Sequence, residues 1–259
     1  MGQQASTPQQ GTKIQVIGAG LSRTGTASFS SALNILLEGP VYHGGTQVTM
    51  GPPKEIKSWI KIMRNCMTGV PQDREKALTL LEETLDGYAA ITDVPGSQLV
   101  PELLELYPDA MVICTVRDPE AWFKSYMQVR DLATLWFLPA VLLPLPGMRH
   151  FVEWISLFPK QRRRLYGEPE SMADIYHRHI AWLKEVVPQD RLVFFDVREG
   201  WEPLCKVLGK DVPKDIAFPR INDGKAMDAV ARSHIKRGLT RWAAFLSVVG
   251  VITAWSVLR

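Results

Sequence analysis

Cysteine is scarce in this chain: Cys66, Cys114 and Cys205 are the only 3 in 259 residues, with no CxxC pair and no Cys/His metal spacing. That excludes a disulfide framework, argues against a zinc site, and fits a reducing compartment. Neither sign of charge dominates, because 30 Lys+Arg face 27 Asp+Glu for a net charge of +3. So small an imbalance speaks against a nucleic-acid partner, although local basic clusters can still hold small anions. Internal repeats and low-complexity tracts are missing. The 46% hydrophobic and 22% charged residues rule out disordered, collagenous and coiled-coil proteins. Met1 to Thr12 is polar and lacks the apolar core of a secretory signal. Setting aside the polar start and apolar end leaves about 220 residues, room for one good-sized core rather than two.

What is present begins at the ends. Met1-Gly2-Gln3-Gln4-Ala5-Ser6 fits the pattern for N-myristoylation on Gly2, the alternative being a flexible polar tail. Trp242 to Leu258, WAAFLSVVGVITAWSVL, carries no charge over 17 residues. As a helix it spans about 26 Å, close to a hydrocarbon core. Lys236, Arg237 and Arg241 precede it and only Arg259 follows, which puts its N-terminal side in the cytosol. A terminal helix packed on the body or on a partner subunit is the competing reading. One acyl chain holds a membrane weakly, so two signals at opposite ends would reinforce each other. The expected organisation is a flexible tail over 1–12, an α/β domain over 13–235, and a basic segment with a membrane helix over 236–259. The organelle and the oligomeric state are not legible, and a homodimer stays open.

Within the body, KIQVIG at Lys13 to Gly18 reads as a buried first strand, followed by a Gly-rich turn and a helix over Thr26 to Leu37. Further strands are expected at Ala89 to Thr92, Ala110 to Val116 and Arg191 to Phe195, with helical stretches at Glu75 to Leu85, Gln98 to Tyr107 and Met172 to Val187. Strands alternating with helices predict a single parallel sheet with flanking helices. Leu132 to Pro146 is apolar but broken by Pro139, Pro144 and Pro146, too interrupted to span a membrane. Core packing and an apolar lid or membrane-leaning patch both remain open for it.

The turn Gly18-Ala19-Gly20-Leu21-Ser22-Arg23-Thr24-Gly25-Thr26-Ala27-Ser28 lies between strand and helix, where backbone N–H groups form an anion site. A dinucleotide fingerprint fails at Arg23, which occupies the third glycine position. An NTPase loop fails at Thr26, which stands where the lysine should be. A 5′-phosphosulfate loop, with a basic residue ahead of a Ser/Thr-Gly-Thr turn, is satisfied by Arg23-Thr24-Gly25-Thr26. A second strand-to-helix junction offers Arg117 at the strand end and Ser125 two helical turns on. A guanidinium fork and a hydroxyl there suit a second phosphate; otherwise Arg117 pairs with Asp118 or Asp196 and Ser125 faces solvent.

At this point the chain resembles the sulfotransferases of the P-loop superfamily, most closely a branch in fungi, protists and bacteria that is often mislabelled as an epimerase or dehydratase. The likeness runs roughly from Lys13 to Gly224 through GAGLSRTGTASFSSAL, VYHGG, ITDVPG, YPDAMVICTVRDPEAWFKSY, VVPQDRLVFFDVREGWEPLCKVLG and FPRIND. It implies 3′-phosphoadenosine-5′-phosphosulfate (PAPS) as donor, giving the bisphosphate PAP, with no metal demanded. It also implies Ser22, Arg23, Thr24, Gly25, Thr26, Ala27 and Ser28 around the 5′-phosphosulfate, and Arg117 and Ser125 on the 3′-phosphate. Arg220, with Asn222 beside it, falls where a late loop covers the nucleotide. Ser28 stands where cytosolic members often carry a tryptophan that stacks on adenine, so that stack is either absent or supplied from elsewhere, with Trp59 as a candidate. Phe194 or Phe195 could border the adenine, the alternative being burial of both rings in a parallel sheet.

Sulfuryl transfer needs charge stabilised on oxygen while an acceptor hydroxyl or amine loses a proton. Arg23 takes the place of the family's basic catalytic residue, commonly Lys; it keeps the charge but does not readily donate a proton. Asp93 falls where many members carry a His and is a candidate base, with His43 as competing base or acceptor contact. Their plain alternatives are a helix cap and a polar core residue. The acceptor is expected to be a small molecule, and an apolar one would suit the C-terminal helix. The rival to an enzyme is a membrane-tethered nucleotide-binding module without activity.

Overall fold

The structure is a computed structural model and describes residues 4–221 and 223–258; Gly2, Asn222 and Arg259 lie outside them. Five parallel strands, β1 (Val16–Gly18), β2 (Val41–His43), β3 (Ala90–Thr92), β4 (Met111–Val116) and β5 (Leu192–Asp196), lie in the order β2-β3-β1-β4-β5. Val16 of β1 is level with Ala90 of β3 and Met111 of β4. The expected single parallel sheet with flanking helices is therefore what forms. The strand β2 was not expected: its three residues run straight into Gly44-Gly45, too short a run for alternation to declare itself.

Both sheet faces are covered, so the strands are apolar on both sides, as parallel sheets require. Residues alternate between the faces. Ile17, Ile91, Val112 and Cys114 face one side, against α3 (Pro53–Met67), α4 (Pro71–Leu85), α5 (Val100–Leu106), α8 (Phe151–Tyr166) and α9 (Asp174–Val186). Val16, Ala90, Ile113 and Phe195 face the other, against α1 (Thr26–Leu36) and α10 (Trp201–Leu208). The remaining helices are α2 (Gly44–Met50), α6 (Pro119–Ala133), α7 (Leu138–Leu142) and α11 (Asp223–Val257). Proline at the first or second position opens α3, α4, α5, α6 and α7, where its missing N–H leaves nothing unpaired.

Chain order decides where ligands can sit. From β1 the chain crosses to β2, returns to β3 beside β1, and then appears on the other side as β4. This reversal leaves a crevice at the carboxyl ends of β1, β3 and β4, the place where open α/β sheets bind ligands. The turn after β1, Asp93 after β3 and Arg117 after β4 all open onto it.

The segment around Ser6 and the first half of the last helix both touch the body. Ser6 donates its hydroxyl to Val41 O at 2.6 Å and accepts from Gln47 Nε2 at its own carbonyl at 2.8 Å, and Gln9 N–H bonds Gly87 O at 2.8 Å. The last helix, α11, runs unbroken across residues 235 and 236. Its first half packs on the body through Ile235, and His234 Nε2 donates to Thr49 O at 2.9 Å. Its second half is exposed and apolar, from Phe245 to Val257, and α11 is long and apolar enough to cross a membrane. In the Leu132–Pro146 stretch Leu138, Leu142 and Leu145 are buried, as core packing requires, while Trp136 is 89% exposed.

Candidate nucleotide site

The turn after β1 is closed by its own side chains. Thr24 donates its hydroxyl to Leu21 O at 2.7 Å and lies 2.6 Å from Thr115 Oγ1 of β4. A hydroxyl has one proton, so Thr115 must be the donor to Thr24. Gly20 is squeezed between them, and a Cβ there would stand 1.9 Å from Thr115 Oγ1. On the far side the buried His179 of α9 lies 2.7 Å from Ala19 O. Desolvation pulls this imidazole down to about 4, so it stays neutral and donates Nε2–H. The Thr24 hydroxyl is thus engaged within the turn itself.

The helix that follows starts without a cap. Gly25, at φ 95°, occupies the cap position with no side-chain bond, and no acidic residue stands in the first turn of α1. The N–H groups at Gly25, Thr26, Ala27 and Ser28 therefore meet at the positive end of a helix dipole, a ready receptor for an anion. Glycine suits the position twice over, since a Cβ would lie 2.7 Å from Val197 Cγ2 and the backbone is left-handed.

Two groups of side chains flank this terminus, and consecutive residues reach them. Arg23, held at φ 77°, directs Nε to Ser125 Oγ of α6 at 3.1 Å and NH1 to Met227 Sδ of α11 at 3.2 Å. Arg117 NH1 donates to Arg23 O at 3.0 Å, clamping the residue with the unfavourable backbone angle. Tyr176 OH brackets Arg117, accepting from its N–H at 3.3 Å and donating to its O at 2.8 Å. Asp118 caps α6 through Ala121 N–H, and Asp196 pairs with Arg198, so Arg117 is turned to the turn rather than to either acid. Arg23, Arg117 and Ser125 accordingly share one edge.

On the other edge Ser22 donates its hydroxyl to Asp93 Oδ1, and Trp122 Nε1 steadies Ser22 O at 3.0 Å. Asp93 sits at φ 66° just after β3, 6% exposed, with His43 Nε2 at 3.8 Å from Oδ2. His43 Nδ1 lies 3.3 Å from Thr46 N. A backbone N–H only donates, so Nδ1 is the acceptor and the neutral ring carries its proton on Nε2. That proton faces Thr26 Oγ1 at 3.3 Å. Asp93 thus accepts from Ser22 with the His43 ring beside it, while His43 spends Nδ1 on capping α2 and turns its Nε2 proton toward Thr26. Gly45 gives the pair room: a Cβ there would stand 2.7 Å from Asp93 Oδ2.

The other candidates divide. Ser28 Oγ accepts from Ile221 N–H at 3.0 Å, tying the late FPRIND segment to α1, while Arg220 itself is exposed and Asn222 lies outside the described residues. Trp59 is fully buried with Nε1 on Tyr42 OH at 2.6 Å, and Phe195 is packed against Phe29 and Trp201, which removes both as stacking partners. Thr115 and Trp122 join the site from within the YPDAMVICTVRDPEAWFKSY stretch, whereas His179, Tyr176 and Met227 come from parts of the sequence that no local motif marks.

Residues 15–227 match the model of a family described as sulfotransferase domain. The chain is also 28% identical over 237 residues to the "Ava biosynthesis cluster protein M" of Aspergillus versicolor, covering 88% of this chain and 87% of that protein.

Proposed function

This chain belongs to the sulfotransferase family, and from that membership we propose that it moves a sulfuryl group from PAPS to a hydroxyl or amine of a small acceptor. The observation that carries the reading is the uncapped start of α1 with cationic and hydroxyl donors on one edge and a buried carboxylate on the other. The family's donor fits these residues, because four convergent N–H groups, Arg23, Arg117 and Ser125 all favour a bound anion and no acidic side chain stands in the first turn of α1. The donor supplies an activated sulfuryl group; the chain supplies charge and geometry.

In this reading the main chain from Gly25 to Ser28 and the Arg23 guanidinium hold the 5′-phosphosulfate, and Arg117 with Ser125 holds the 3′-phosphate. Arg23 steadies the negative charge that grows on the leaving phosphate. Asp93 takes the proton that the acceptor sheds. Ser22 orients that carboxylate through its hydrogen bond, and His43 beside it is not the base, because its Nε2 already carries a proton and has no lone pair free to take another. The apolar half of α11 anchors the protein with its body on the cytosolic side, in keeping with Lys236, Arg237 and Arg241 ahead of it, and acylation of Gly2 adds a second attachment.

Calorimetry with the bisphosphate PAP against AMP, ATP and NAD tests the donor site, with Arg117→Ala as control. Preference for PAP, lost in the variant, supports the reading, and equal affinity for all four nucleotides overturns it. Asp93→Asn is expected to lower kcat by about 100- to 10,000-fold with PAP affinity kept, and Arg23→Ala by about 100- to 1,000-fold. Retained turnover in both variants would remove the mechanism.

A further inference from the structure

Where the apolar half of α11 leaves the body, a second apolar element is clamped to it. No charged residue occurs from Leu132 to Met148. The inner side of this segment, Leu138, Leu142 and Leu145, closes with Met148 on Ile235 of α11. Its backbone is held at three points: Trp242 Nε1 donates to Ala140 O at 2.8 Å, Arg241 NH1 donates to Pro144 O at 2.8 Å, and Gly238 lies so near Val141 that an added Cβ would stand 2.2 Å from its carbonyl oxygen.

The outer side is apolar but for Thr134 near its start, whose hydroxyl is spent on Arg130 O at 2.8 Å. Trp136, Pro139, Ala140, Leu143 and Pro146 are exposed, Trp136 at 89% and Leu143 at 53%. Positions 136, 139, 140 and 143 have the spacing of one helical face. A helix at an aqueous surface carries polar residues on its outer face, and one that is apolar all round meets an apolar neighbour on both sides. Tryptophan in particular favours the boundary between headgroups and acyl chains. The level of the segment is also set, because its partners Arg241 and Trp242 are the charged residue immediately before the uncharged run and the first residue of that run.

We propose that residues 132–148 lie in the lipid–water interface as a second membrane contact, with the Trp136 and Leu143 face against the acyl boundary and Lys236 and Arg237 near the headgroups. The proposal rests on the reading of α11 as a membrane anchor. A single spanning helix lets a body swivel; a second contact clamped to its base fixes the tilt. Met227, which touches Arg23, lies fifteen residues before Trp242 on the same helix. At 1.5 Å per residue the nucleotide site is then held about 22 Å from the bilayer surface. An acceptor must rise that far from the membrane or arrive from solution.

The test uses the full chain in vesicles of phosphatidylcholine with phosphatidylserine. An environment-sensitive fluorophore is attached in turn at Trp136→Cys, Ile252→Cys and Val70→Cys; the native cysteines are buried and stay unlabelled. Ile252 reports the anchor and the exposed Val70 reports water. The expected result is a blue shift and quenching by headgroup-labelled nitroxide lipid at position 136, deeper quenching at 252, and neither at 70. A label at 136 that behaves like 70 while 252 is in lipid overturns the proposal and leaves the anchor standing. A blue shift at 136 without lipid quenching means a protein neighbour and also overturns it. An aqueous 252 removes the anchor reading itself.

Discussion

Single hydroxyls and one imidazole hold the turn in shape, and their bonds are unequal. Thr24 serves two partners, donating to Leu21 O and accepting from Thr115, whereas Thr115 only donates. Replacing Thr24 by Val leaves a buried carbonyl and a buried hydroxyl without their partner, while Thr115→Val removes a donor that Thr24 survives losing. Denaturant unfolding is expected to show a loss of about 1 kcal/mol for Thr115→Val and 2 to 3 kcal/mol for Thr24→Val. His179 makes the fold sensitive to acid. Its folded value near 4 lies below the ordinary 6.5 because burial disfavours the charged ring, so the unfolded chain binds the extra proton. Stability is full above about pH 6.5 and falls as pH drops toward 4, by about 3 kcal/mol from this group. Thermal melts at pH 7 and pH 5 should differ more for the natural chain than for His179→Gln, which keeps an N–H for Ala19 O without titrating.

At the scale of elements, the start of α1 and the junction of α7 with α11 are built on close approaches that favour glycine, to the Val197 side chain in the first and to the Val141 backbone in the second. Gly25→Ala combines a left-handed φ with a Cβ 2.7 Å from Val197. Trimming the neighbour in Gly25→Ala/Val197→Ala relieves the clash and leaves the backbone cost of about 1 kcal/mol, so the double variant should melt above Gly25→Ala and below Val197→Ala. Gly238→Ala drives a methyl into Val141 O and is expected to loosen α7 from α11, seen as faster amide exchange over 138–142 with PAP affinity unchanged. The short β2 and the uncharged α7 were the elements least legible in the sequence. Three residues are too few to show a period of two, and the α7 segment is apolar on the face that packs and on the face that does not.

For the whole molecule, two forces act on different parts of the chain: burial holds residues 4–242 together, and the apolar half of α11 contributes almost nothing to it, with 6% of its most apolar window buried. Removal of 243–259 is therefore expected to leave a soluble body that still binds PAP, and loss of folding would show that the segment belongs to the core. PAP at a hundred times its dissociation constant should stabilise that body by about 2.7 kcal/mol, measurable as a raised Tm. The sequence alone determined the order of strand, anion turn and helix, the parallel sheet, the Arg23-Thr24-Gly25-Thr26 turn, and the apolar end, because each is a local pattern of residue type and spacing. Only the tertiary structure decided that Arg117 clamps Arg23 O, that Ser22 and His43 converge on Asp93, and that Met227 of the last helix reaches the first turn. Those contacts join residues up to 204 positions apart, and strand order rather than local propensity brings such positions to one crevice.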